Sequence, residues 1–185
     1  MKYSLFLLIF LILSTDSFAQ SIRSQADELY NSGNYKKAIP LYKKHLKKYT
    51  TDSLAMYKLG MSYSNLTNYK LGIEFLQTAI DLNFYPGFTY SQIARFSALM
   101  NNDKRLYSSL DSLLKYNPGS FAAINNDTVF NTYSKTSDFI EKLEQMRIKS
   151  YPCLTNEKSR LFDFWLGEWN VIASGRKAGV NIITL

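Results

Sequence analysis

Side chains able to perform covalent or acid–base chemistry are few in this sequence, and their spacing suits none of it. His45 is the single histidine, so no pair of imidazoles can hold a metal and no base stands ready for a Ser or Cys nucleophile. It sits among Lys43, Lys44, Lys47 and Lys48, which reads as a packed or half-exposed structural histidine on a helix. Asp163 and Glu168 are near enough to suggest a general acid and base, but Gly167 and a strand start between them leave their geometry open. Cys153 is the one cysteine, which excludes an internal disulfide and a zinc site of several thiolates. It reads as a buried inert thiol or one able to join another chain. No glycine-rich phosphate loop is present. The residues predict no catalytic centre, metal or cofactor, and point to binding.

The elements that would present a binding surface are announced by a repeat. Gly33-Asn34-Tyr35-Lys36-Lys37-Ala38-Ile39 returns as Thr67-Asn68-Tyr69-Lys70-Leu71-Gly72-Ile73, a shift of 34 positions from 33 to 67. That period belongs to stacked helical hairpins, each with an apolar stripe too wide to cover alone. The spacing predicts a first helix over 21–31 with Ile22, Ala26 and Leu29 inward, and a second from Tyr35 to about Lys48 with Ala38, Ile39, Tyr42 and Leu46 inward. The next pair runs Leu54 to Asn65 and Tyr69 to Leu82, burying Leu59, Gly60, Tyr63, Ile73, Leu76, Ala79 and Ile80. The third runs Phe88 to Met100 and Asp103 to Tyr116, ended by Asn117-Pro118. Ala26, Gly60, Ala38 and Gly72 are small where two helices must approach closely.

Composition supports a packed array. Hydrophobic residues make up 46% and charged residues 20% of the 185, which argues against wholesale disorder. Met1-Lys2, the apolar run Leu5 to Leu13 and Ser17-Phe18-Ala19 have the layout of a cleavable export signal, with a cut expected after Ala19. The apolar run is far shorter than the roughly 20 residues of a membrane span. A periplasmic or extracellular protein is therefore expected. The formal charge is +7, and Lys36, Lys37, Lys43, Lys44, Lys47 and Lys48 gather on one helix as a basic face. Such a face is either a solvated outer surface or weakly attracts an anionic envelope polymer. It lacks the interleaved aromatic and glycine residues of a nucleic-acid groove, so nucleic acid is not expected.

Over residues 20–118 the chain resembles the tetratricopeptide repeat family. The second unit carries the resemblance through Leu59-Gly60, Tyr63, Thr67-Asn68-Tyr69, Gly72 and Ala79. The first does so through Ala26, Gly33-Asn34-Tyr35, Ala38-Ile39 and Tyr42, the third through Ile93-Ala94, Asn101-Asn102 and Asn117-Pro118. His45 and Leu106 replace small residues of the pattern, and the first two units lack its terminal Pro. The resemblance implies a mainly α fold, a right-handed α-solenoid of about three helical hairpins with a C-terminal capping helix. It also implies a concave groove lined by the first helix of each hairpin. That groove would comprise Arg23, Asp27, Tyr30 and Asn31, then Tyr57, Lys58, Met61 and Asn65, then Phe88, Ser91, Gln92 and Arg95, and would hold a protein or peptide partner. Asp27 and Phe88 occupy two places where the family's carboxylate clamp has Lys and Asn, so that clamp is not implied.

After residue 118 the pattern is less regular. Residues 119–149 are expected to cap the array, with Asp127 or Thr128 capping a short helix and Ser137 capping an amphipathic one that buries Phe139, Ile140 and Leu143. A linker is expected over 150–159. Residues 160–185 are aromatic and then strand-like, with strands from Asn170 to Ser174 and from Gly179 to Leu185 around Gly175-Arg176-Lys177, a short β-hairpin-like tail. Leu161 to Val171, with Gly167-Glu168-Trp169, is similar to the start of a lipocalin-like domain of secreted bacterial proteins. Two strands fall short of such a barrel, so the sequence reads as a piece of a longer chain. Two functions follow: a non-enzymatic interaction scaffold, or an accessory module for a barrel that binds a small ligand or catalyses a reaction.

Overall fold

The computed structural model describes residues 22–151 throughout and the backbone of 167–173 and 176–183. The leader expected at 1–19, Cys153, Asp163, the Glu168 side chain and most of the expected linker lie outside the described residues. Three helical hairpins follow one another: α1 (22–31) with α2 (Tyr35–Leu46), α3 (Ser53–Asn65) with α4 (Tyr69–Asp81), and α5 (Pro86–Leu99) with α6 (Asp103–Tyr116). A 3₁₀ turn (Pro118–Ser120), α7 (Phe121–Asn126), a second 3₁₀ turn (Thr128–Phe130) and α8 (Ser137–Ser150) complete the helical part.

Each hairpin turns the same way. Gly33, Thr67 and Asn101, 34 positions apart, have left-handed φ of 76°, 62° and 51°, and the asparagine after each begins the second helix. Asn68 and Asn102 accept from the amides of Leu71 (3.4 Å) and Arg105 (3.1 Å) and so satisfy a free helix-end donor; Asn34 makes no such bond. Glycine suits the left-handed position, whereas Thr67 is β-branched and strained there.

Each apolar cluster is shared between neighbours. Ala26, Ala38, Tyr42 and Leu46 pack with Ala55 and Leu59 of the next hairpin. Tyr57, Ile73, Leu76 and Ala79 pack with Ile93 and Phe96. Ala94, Leu106, Leu110 and Leu113 pack with Ile124, Phe130, Phe139 and Met146 of the cap. No hairpin could bury its stripe alone, which is the physical basis of the array. Within the second hairpin α3 and α4 meet at Gly60 and Gly72, where a Cβ on Gly60 would lie 2.9 Å from the Gly72 carbonyl oxygen.

The boundaries depart from expectation in specific places. α2 ends at Leu46 rather than Lys48, and α5 begins two residues early because Pro86 supplies its first turn. Ser137 does not cap α8: Thr136 holds the N-cap position without a side-chain bond, and the Ser137 hydroxyl donates to Asp138 (3.0 Å). Ile140 is 53% exposed, since α8 buries Phe139 and Met146 instead. Asp127 does cap the short turn Thr128–Phe130, accepting from the Val129 amide (3.0 Å).

Strands β1 (Gly167–Ala173) and β2 (Arg176–Ile183) pair antiparallel, from Gly167 opposite Ile183 to Ala173 opposite Arg176, with an irregularity between Val171 and Ile172. β1 starts three residues earlier than the sequence suggests, and Arg176 and Lys177 belong to β2 rather than to the turn.

Candidate binding surface

The face offered by α1, α3 and α5 divides into a closed ionic end and an open aromatic end. At the ionic end, Asp27 on α1 accepts hydrogen bonds from the Tyr42 hydroxyl (2.6 Å) and the Lys58 ammonium (2.9 Å), with Arg23 Nε 3.7 Å away. Burial alone would raise the Asp27 pKa, but those two bonds and the Lys58 and Arg23 charges hold it below the ordinary carboxylate value. Tyr42 is pushed far upward by burial and by donating to Asp27. Lys58 also lies over the Tyr30 ring, 5.4 Å from its centroid. Tyr30 in turn meets Tyr35 and Tyr42 edge to face.

Asp52 ties three helices together beside this group. One carboxylate oxygen caps α3 by accepting from the Ala55 amide (3.0 Å), and the other accepts from Arg23 Nη1 of α1 (2.7 Å) and meets His45 Nε2 of α2 (2.8 Å). His45 is 4% exposed and stacks on Tyr49. Its place is structural, as its surroundings in the sequence imply.

At the aromatic end, Tyr57 is 8% exposed, its ring stacked on Phe84 (4.8 Å between centroids) and tilted against Phe88 (5.8 Å). It therefore packs within the second apolar cluster, with most of its ring covered by Phe84 and Phe88. Burial raises the pKa of its hydroxyl strongly. Phe88 is 51% and Tyr85 71% exposed, and Tyr85 holds a left-handed φ of 33°.

The remaining expected groove residues are spread between these ends. Asn31 is exposed, Met61 packs partly into the second cluster, and the Asn65 amide donates to the Met61 carbonyl (2.9 Å). Ser91 donates to the Phe88 carbonyl (2.6 Å), and Gln92 is half-buried beside it. Arg95 Nε donates to Asp127 (2.8 Å), which ties α5 to the cap. The cap is fixed further by Lys142 to Asp111 (2.7 Å), by the Tyr107 hydroxyl meeting Thr136 Oγ1 (3.3 Å) and by the Tyr133 hydroxyl donating to Asp103 (2.8 Å). Burial, then that bond, push the Tyr133 pKa up to about 12. Asp127 is legible in the sequence as a cap but not as a tie to α5; for Asp52, Thr51-Asp52-Ser53 before an apolar run carries the N-cap signal that identifies it.

The lysines of the expected basic face are exposed, but only Lys36, Lys37, Lys43 and Lys44 lie on α2, Lys47 and Lys48 following its end; Lys43 lies over Tyr63 (5.4 Å). Among the described residues no helix is long and apolar enough to cross a membrane, and no cluster of three His, Cys, Asp or Glu could hold a metal.

Three like hairpins joined through shared seams and closed by a cap define a tetratricopeptide-type α-solenoid. The chain is similar to the crystal structure of MamA, with a TM-score of 0.61 and 18% identity over 78% of this chain and 86% of that one. It is also similar to the type III secretion translocator chaperone SycD of Yersinia enterocolitica, with a TM-score of 0.50 and 18% identity over 73% of this chain and 96% of that one. These likenesses concern the fold. No family model and no curated protein matches the sequence.

Proposed function

We propose that the chain is an exported, non-enzymatic scaffold that holds an extended segment of a partner protein along the face of α1, α3 and α5. The observation that carries this reading is the exposed pair Phe88 and Tyr85, seated on the Tyr57–Phe84 stack. Large rings held in solvent on a firm base are suited to anchoring an apolar side chain. The cations nearby are already committed, Lys58 to Asp27 and Arg95 to Asp127. The ligand is then gripped by rings and by the amides of Gln92 and Asn31, with little help from charge. Proteins named as a translocator chaperone and as MamA share the fold, which is consistent with a scaffold. Export rests on the signal-like residues 1–19.

The test is a peptide array probed with the wild-type chain and with the double variant Phe88→Ala, Gln92→Ala. Loss of captured peptides at an unchanged melting temperature supports the reading, and undiminished capture overturns it. The alternative, a module serving a β-barrel, draws on the antiparallel pair β1–β2. It predicts that a small apolar ligand protects the segment after Tyr151 from proteolysis.

A further inference from the structure

A second surface lies on the other helices of the hairpins. Lys36, Lys70 and Lys104 stand 34 positions apart, and each is the second residue of its helix, α2, α4 and α6. Lys37 and Arg105 extend the row at the following position of the first and third hairpins. All five are exposed, and none has a carboxylate partner among the described residues. Equal hairpins stacked in order bring equivalent positions into one line. Between the second and third hairpins, Lys70 and Arg105 line one cavity of about 200 Å³ together with Glu74, which is not paired with either cation. A larger cavity of about 460 Å³ adjoins it, bordered by Lys104, Arg105, Asn102, Gln77 and Tyr90.

This placement works against stability. The first turn of a helix carries partial positive charge and favours Asp or Glu, so a lysine there is repelled. α2 and α4 have no acidic residue in that turn, and the one in α6, Asp103, receives the Tyr133 hydroxyl. The same unfavourable choice recurs in all three hairpins, as expected where something else supplies the missing negative charge.

We infer that this row is a docking edge for an acidic polypeptide segment. A stacked array twists, so its edge suits a flexible chain better than a flat bilayer. The rings beside the row are already packed, Tyr35 against Tyr30 and Tyr69 against Phe96, so they offer no stacking platform for nucleic-acid bases. The larger cavity, with Gln77 and Asn102 at its border, has room for a side chain and amides to meet a peptide backbone.

The experiment measures fluorescence anisotropy of a labelled twelve-residue oligoglutamate with the full chain. The variant Lys36→Ala, Lys70→Ala, Lys104→Ala is compared with Lys47→Ala, Lys135→Ala, Lys149→Ala, which removes equal charge elsewhere. The row variant should bind at least about tenfold more weakly and show a shallower dependence on salt, while the other stays within about twofold of wild type. Thermal melting of the row variant should be no lower than wild type, because the helix-end repulsion is gone. Equal weakening by both variants, or no saturable binding, overturns the proposal. Tighter row-dependent binding of a dodecathymidylate, a sulfated polysaccharide or phosphatidylglycerol vesicles overturns the polypeptide assignment.

Discussion

Gly60 and Gly72 face each other across the second hairpin, each placed so that a Cβ on it would come within 2.9 Å of the other's carbonyl oxygen. A Cβ on Gly72 would also meet Ser64 Oγ, a hydroxyl that already donates to the Gly60 carbonyl (3.1 Å). Backbone oxygens cannot rotate away, so a methyl group here pushes the two helices apart. The better helix propensity of alanine, about 0.5–1 kcal/mol, is outweighed by overpacking of about 1–3 kcal/mol. Gly72→Ala is therefore expected to lower stability in urea titration, whereas Gly33→Ala, with nothing within 4 Å, suffers only from its left-handed backbone.

Thr67 gives the opposite sign. Its φ of 62° costs a β-branched residue about 1 kcal/mol, and the equivalent position in the first hairpin is Gly33. Thr67→Gly should raise the melting temperature by about 3 °C. No rise on calorimetry would mean that the turn relaxes in solution.

Acid sensitivity is expected to centre on Asp27. Its folded pKa lies below the ordinary 3.8, so the folded state binds fewer protons than the unfolded one near that pH. The stabilisation is complete above the unfolded pKa and is lost as pH falls through the folded value. Asp27→Asn should cost stability at pH 7 and progressively less below about pH 4. A constant difference between the two proteins from pH 7 to pH 2.5 would refute this.

Asp52 carries more than its cap. Asp52→Ala removes the bond to the Ala55 amide, leaves His45 Nε2 without its acceptor and leaves Arg23 with only Asp27, 3.7 Å away. Together the lost cap and the unpaired groups should cost about 2–4 kcal/mol. Restoring the cap alone with Asp52→Ser should recover about 1 kcal/mol of that, measured by chemical denaturation.

Tyr57 and Phe88 touch but should respond differently. Tyr57→Ala opens a cavity in the second cluster and is expected to cost about 3 kcal/mol. Phe88→Ala, at a half-exposed ring, should stay within about 0.5 kcal/mol. Comparable losses would show that Phe88 is a core residue rather than a surface anchor.

Helix periodicity in the sequence carried the array well. α6 runs from Asp103 to Tyr116 as its apolar spacing and the following Pro118 imply, and Ala26, Ala38, Leu59, Leu76 and Ala79 are buried where the 3.6-residue stripe places them. Features set by contacts between elements were less legible. Tyr57 lies on the first-helix face that lines the groove by resemblance, yet the chain between α4 and α5 lays Phe84 over it. Ile140 belongs to an apolar stripe, but the rotation of α8 about its axis is set by the fit of Phe139 and Met146 into the cap. The Asp52 group joins residues 23, 45 and 52, and no local pattern announces a partnership across three helices. Pairing among the expected groove residues is equally illegible: of their four charges, Arg23 and Lys58 meet Asp27, and Arg95 meets Asp127.

Because every apolar seam is half owned by the next hairpin, this molecule can change its length only in whole steps. A gene duplication that copied 34 codons in register would hand each new unit a ready-made neighbour on both sides. One that copied some other number would leave raw seams exposed at the joint, so evolution of such a chain proceeds by quanta.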